Sequence, residues 1–214
     1  EITTRLVGSE MCIRDRFGLR SRRKKVGLLG GSFNPAHAGH RHLSLKAMRL
    51  LRLDEVWWLV APLNPFKQAK DMAEYGTRLE TARKVANNRK IIVSDFENRV
   101  GTRKSVDTIE ALQKAYPDTD FVWLVGADIL TELHRWYKYE TLMRLLPVAI
   151  FARGNYALKG LRSKAARRFA AYRANEACAG SLARMKPPAW VYLKIGRHAA
   201  SSTAIRKKNK LLTE

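Results

Sequence analysis

From Lys25 onward the chain alternates short β-branched or aromatic runs with stretches of helical spacing, and this alternation restricts the fold more than any other feature. Strand-length runs lie at Val26 to Leu29, Glu55 to Ala61, Lys90 to Ser94, Phe121 to Val125, Val148 to Phe151 and Trp190 to Lys194. Helical spacing falls at His40 to Leu51, Gly76 to Asn88, Ser105 to Ala115, Ile129 to His134, Tyr139 to Leu145, Leu161 to Ala177 and Ser202 to Leu212. Several of the strand runs are apolar without interruption, as expected when helices cover both faces of a sheet. The pattern predicts an α/β fold, a parallel sheet flanked by helices, as a single domain over 25–214.

Charge narrows the partners. The 214 residues carry 41 Lys plus Arg against 19 Asp plus Glu, a formal charge of +22. Such an excess suggests nucleic acid or an anionic membrane until it is located. It lies in residues 1–25, 159–186 and 194–214, which hold about three quarters of it, whereas 26–158 are close to balanced. No apolar run approaches the roughly 18 residues of a membrane span, and no aromatic RNA-binding pattern accompanies the charge. A specific nucleic-acid or membrane partner is therefore not expected. Residues 1–24 read as a basic tail. Within it, VGSEMCIRDR resembles a translated sequencing adapter, so 1–16 are expected to be non-native. Cys12 and Cys178 form neither a disulfide framework nor a metal pattern, which favours a reducing compartment such as the cytoplasm.

The first strand runs into Gly30, Gly31, Ser32, Phe33, Asn34, Pro35, Ala36, His37, Ala38, Gly39 and His40, and a helix follows at once. Ligands of open parallel sheets bind beyond the carboxyl ends of the strands, where a helix N-terminus offers N–H donors and a favourable dipole to anions. The glycines let a phosphate approach the backbone, Asn34 and Pro35 favour a turn, and Gly39 leaves room for a flat ring. His37 and His40, three apart, can share one side of the first helical turn. His42 adds a metal-binding alternative, disfavoured because no Cys or carboxylate cluster accompanies it. Neither a dinucleotide fingerprint nor a P-loop is present. Near the C-terminus, Ser201, Ser202, Thr203, Ala204, Ile205 and Arg206 read as a capped helix start. A cation in a first helical turn opposes the macrodipole and is better placed when an anion shares the site.

Together HAGH and SSTAIR resemble the H-x-G-H and S-T-x-I-R signatures of the nucleotidyltransferase superfamily, and GGSFNPAHAGH, NPFK, GADIL with HRW, and SSTAIR most resemble its nicotinate-nucleotide adenylyltransferases. That resemblance implies a Rossmann-like fold closed by a C-terminal helix, ATP and nicotinate mononucleotide as substrates, and magnesium accompanying ATP. It implies catalytic roles for His37, His40, Lys67 and Arg206, and no protein-built metal site. ATP would lie on Gly30, Gly31, Ser32, Phe33, Gly39, Arg153, Ser201, Ser202 and Thr203. The mononucleotide would meet Asn34, Thr102, Ser105, Asp107, Thr108, Gly126, Asp128 and Trp136, the last by stacking. Relatives carry Tyr-Thr where this chain has Lys104-Ser105, which removes an aromatic wall. Phosphopantetheine adenylyltransferase and a basic RNA-binding module are the alternatives, and self-association is left open.

Overall fold

In a computed structural model of the chain, the described residues are 23–62, 72–152, 157–196, 200, 202, 205 and 206. Six parallel strands form one sheet in the order β3-β2-β1-β4-β5-β6, with β1 Lys24–Gly31, β2 Glu55–Val60, β3 Ile91–Ser94, β4 Thr119–Gly126, β5 Val148–Ala152 and β6 Trp190–Lys194. The helices are α1 Ala38–Leu51, α2 Tyr75–Ala86, α3 Phe96–Arg99, α4 Ser105–Ala115, α5 Ala127–Glu132, α6 Tyr139–Leu145, α7 Ala157–Leu161 and α8 Lys164–Arg168, with 3-10 turns at Leu133–Arg135, Ala170–Tyr172 and Glu176–Arg184.

Strand β1 shows why unbroken apolar runs mark this fold. Val26 and Leu28 pack into the core on one face, while Leu29 packs into the core on the other. Gly27 also faces the second layer, and a Cβ there would stand 2.8 Å from both Leu124 and Leu53, so the strand needs a glycine for close packing. One layer holds α1 and α2 through Leu43, Ala47, Leu51, Leu79 and Ala82, together with Leu182 of the 176–184 turn. The opposite layer holds α4, α5, α6 and α8 through Ile109, Leu130, Leu142 and Ala165. Gln113 Nε2 ties α4 to α6 by donating to Leu145 O at 2.8 Å.

The six strand runs are all present, β1 and β4 being longer than expected. The helix expected over 161–177 is not one helix. Ser163 begins a new one, its hydroxyl accepting from Ala166 N at 3.2 Å, and Asn175 starts the next turn by accepting from Ala177 N at 2.9 Å. Both are residues whose side chains bond the backbone more readily at a cap than inside a helix. No described helix is long and apolar enough to cross a membrane.

Candidate active site

The site begins where the sheet reverses its winding. After β1 the chain passes to the layer of α1, and after the adjacent β4 it passes to the layer of α5. The connections diverge and open a crevice beyond the carboxyl ends of these two strands. A Cβ on Gly30 would meet nothing within 4 Å, so the backbone there faces open space.

The two histidines build the start of α1. His37 is extended (φ −151°) and is the N-cap; its Nδ1 accepts from Gly39 N at 3.1 Å. His40 reaches back, its Nδ1 accepting from His37 N at 3.2 Å. This is a reciprocal capping box built from imidazoles, with ring centroids 3.9 Å apart. Because a neutral imidazole has one acceptor and one donor nitrogen, a bonded Nδ1 places the ring hydrogen of each histidine on Nε2. Local structure thus sets the tautomer that donates toward a ligand.

Gly39 is required for this arrangement. A Cβ there would lie 2.9 Å from the His37 ring and 3.2 Å from Ala200 O. The His37 imidazole itself packs against the bare face of Gly39. Beneath the histidines, Phe33 is buried, 4.8 Å from the His40 ring and stacked on Trp58 at 5.0 Å. Trp58 Nε1 donates to Ser44 Oγ at 2.8 Å, and Ser44 Oγ donates to His40 O at 2.9 Å. Phe33 holds a left-handed backbone (φ 43°), a costly conformation for an aromatic residue that this packing sustains.

A buried arginine ties the loop to its neighbours. Arg78 of α2 is 2% exposed and, among the described residues, donates to backbone carbonyls: Ser32 O at 2.7 Å, Ala61 O and Pro62 O at 2.8 Å, and Ala73 O at 3.0 Å. The ends of β1 and β2 and the entry to α2 are thereby joined. Burial lowers the Arg78 pKa, yet four carbonyl dipoles serve the cation in place of a carboxylate. Asn34 is also buried, its Oδ1 accepting from Ala73 N at 3.2 Å. The C-terminal segment docks on the same loop, with Ser202 Oγ donating to Pro35 O at 3.0 Å and Arg206 Nη1 donating to Asn34 O. Sequence spacing of about 170 residues gave no such contact; the fold brings the two signatures together.

The other wall lies on the opposite layer. Thr108 is 1% exposed, and its hydroxyl meets Thr102 Oγ1 at 3.0 Å, Lys104 O at 3.2 Å and Glu97 Oε1 at 3.3 Å. Thr108 is thus a support for Thr102 rather than an exposed contact, while Ser105 and Asp107 stand in the first turn of α4. Gly126 is the N-cap of α5, and exposed Asp128 sits in its first turn without capping it. Trp136 is half-buried and packs on Trp123, ring centroids 5.7 Å apart. Lys104 holds its Nζ 3.8 Å from the centroid of Tyr137 and so links α4 to the Trp136 segment.

Lys67, Arg153, Ser201 and Thr203 lie outside the described residues. Sequence reasoning missed Arg78, Ser44, Trp58 and Glu97. Arg78 looks like an ordinary charge of an amphipathic stretch, and only its burial distinguishes it; Glu97 lies between the expected helices and is marked only by its contact with Thr108. Among the described residues no group of three or more His, Cys, Asp or Glu could hold a metal ion. The loop offers imidazoles, hydroxyls and cations rather than carboxylates, so it does not fit a protein-built magnesium cage.

Residues 28–208 match the cytidylyltransferase-like family. The chain is 45% identical over 184 residues to the probable nicotinate-nucleotide adenylyltransferase of Methylorubrum extorquens strain PA1, covering 86% of this chain and 100% of that one. It is 46% identical over 181 residues to the protein of that name from Cereibacter sphaeroides, covering 85% and 96%. Among solved structures, the Plasmodium falciparum nicotinic acid mononucleotide adenylyltransferase complexed with NaAD superposes with a TM-score of 0.63 at 20% identity, covering 86% of this chain and 83% of that one. That likeness identifies the fold as Rossmann-like. By its signatures, its sheet order and these matches, the chain belongs to the cytidylyltransferase-like family, among its nicotinate-nucleotide adenylyltransferases.

Proposed function

We propose that this chain transfers the adenylyl group of ATP to nicotinate mononucleotide, giving nicotinate adenine dinucleotide and pyrophosphate. The observation that carries the reading is the imidazole capping box at the β1/β4 crevice, two Nε2–H donors set at a helix N-terminus. The names of the relatives support the same chemistry.

An oxygen of the mononucleotide phosphate attacks the α-phosphorus of ATP, a new P–O–P bridge forms, and the bond to pyrophosphate breaks. The attacking phosphate is already ionised near neutrality, so no general base is needed. What the protein supplies is alignment and neutralisation of charge on the transferring group. His40 and His37 donate to the phosphate oxygens from Nε2, and the positive end of the α1 dipole lies beneath them. Gly30, Gly31 and Ser32 line the approach, with Gly39 and Phe33 holding the histidines in place. Lys67, Ser201, Ser202, Thr203 and Arg206 steady the departing pyrophosphate, and Arg153 stands toward the adenine side. Thr102, Ser105, Asp107, Gly126, Asp128 and Trp136 receive the mononucleotide, with Asn34 and Thr108 shaping the two walls from behind. Magnesium belongs to this scheme as the counter-ion of the triphosphate and thus as part of the substrate.

A single domain over 25–214 in the cytoplasm, following a basic tail, completes the reading. Pyrophosphate release from ATP, with nicotinate mononucleotide, its amide analogue and phosphopantetheine offered separately, tests it. Turnover is expected with the first; release only with phosphopantetheine, or with none, overturns it.

A further inference from the structure

Trp136, Tyr137 and Lys138 join the 133–135 turn to α6. Trp136 packs on Trp123, whereas the ring of its neighbour Tyr137 is 50% exposed. Two ammonium groups from different elements converge on that phenol. Lys104, the cap of α4, holds its Nζ 3.8 Å from the ring centroid, and Lys138 holds its own 5.3 Å away. Like charges gathered on one ring repel each other. The Lys138 backbone is also left-handed (φ 47°), a conformation that disfavours a residue carrying a Cβ.

No carboxylate offsets this pair among the described residues, where neither lysine forms an ion pair. Glu140, two residues beyond Lys138, is engaged by Arg168 at 3.3 Å. Asp107 and Asp128 belong to the same wall, but both are exposed and neither is paired with Lys104 or Lys138. The wall therefore offers two kinds of partner. Its carboxylates accept from hydroxyls, which a ribose supplies, and its ammonium groups donate to an anion. In the reading above the phosphate of the mononucleotide goes to the α1 wall and the pyridine ring to Trp136. The anionic group left for the Tyr137 end is the carboxylate on that ring.

We propose that Lys104 is the specificity-determining residue that favours the acid mononucleotide over its amide, its ammonium donating to the ring carboxylate. This rests on the adenylyltransferase reading and adds to it the source of the preference. Tyr137 holds the Lys104 stem near one position, so less rotamer freedom is lost when the substrate arrives. The ring face engages only part of an ammonium that has three hydrogens, and the rest can bond the carboxylate with charge assistance. Lys138, farther from the ring centre, adds to the positive field. The amide has no charge to attract, and its NH2 group would meet Lys104 donor to donor.

The test is the ratio of kcat/KM for nicotinate mononucleotide to that for its amide, in which effects on the shared phosphate and ribose cancel. Lys104→Met keeps the stem and loses the charge. It is expected to lower the ratio about tenfold, as for one charge-assisted hydrogen bond, through a higher KM for the acid alone. The amide and ATP parameters are expected to stay as in the wild type, and Lys104→Arg to keep most of the preference. Raising salt from about 0.05 to 0.5 M is expected to lower the ratio in the wild type and leave it level in Lys104→Met. An unchanged ratio in Lys104→Met, an equal loss with both mononucleotides, or the same salt dependence in both proteins overturns the proposal. Wild-type chain that turns over neither mononucleotide overturns the functional reading, and the proposal with it; wild-type turnover with an indifferent Lys104→Met overturns the proposal alone.

Discussion

The two walls of the crevice are built by different means. The wall on the α1 side is determined several times over: a capping box fixes both imidazoles, an aromatic stack lies under them, and Arg78 and Arg206 hold the loop from two other segments. The wall on the α4 side rests on side chains bonding side chains, with Thr108 between Thr102 and Glu97 and with Lys104 on Tyr137. Backbone hydrogen bonds and buried packing place atoms rigidly, whereas hydroxyl and cation–π contacts allow adjustment. The rigid wall suits phosphoryl chemistry, in which small misplacement is costly, and the adjustable wall suits recognition of a ring.

From that contrast, substitutions on the rigid wall are expected to reduce turnover and those on the other wall to shift substrate preference. The largest loss is expected for His40→Ala, about 10²- to 10⁴-fold in kcat with an unchanged circular dichroism spectrum. Near-normal turnover would remove His40 from the reaction. Gly39→Ala comes next, since its Cβ must displace the His37 ring or Ala200 O. About 10²-fold in kcat is expected, with KM for the mononucleotide little altered. Arg78→Met leaves four carbonyls without their donor and is expected to cost about 3 kcal/mol in urea unfolding. A change under about 0.5 kcal/mol would mean that the tether carries little.

On the second wall Trp136→Ala is expected to raise KM for the mononucleotide about tenfold and leave that for ATP unchanged. Equal effects on the two substrates would count against stacking. The smallest effect concerns stability. Because burial raises Glu97 from its ordinary value of 4.5 to about 7, the folded chain binds more protons than the unfolded chain between those limits, and stability falls as pH rises through that window. Thermal melts of Glu97→Gln are expected to show a shallower decline there, by a few degrees at most.

Much of this was legible in the chain itself. Strand runs such as Val148 to Phe151 announce themselves because a strand buried on both faces must be apolar at every position. At HAGH the helix start was legible, but the capping box was not read there: the helix was expected from His40, and it begins at Ala38 with His37 as its cap. Ser163 and Asn175 also carried a local signal, and the long helix expected across them gave their capping chemistry too little weight.

Other features have no local sign. Arg78 is one of many arginines in a basic chain, and only the meeting of β1, β2 and α2 at their carboxyl edge makes it a buried tether rather than a solvated charge. Glu97 likewise meets Thr108 only when α4 is laid beside α3. By itself the sequence determined the layered α/β class, a helix start at the HAGH segment and the residue types suited to phosphate, since periodicity depends on near neighbours. The tertiary structure alone decided that Arg206 meets Asn34, that Gly39 shelters the His37 ring, and which charges are dry. Those outcomes depend on segments far apart in the chain, brought together by burial of the two apolar layers.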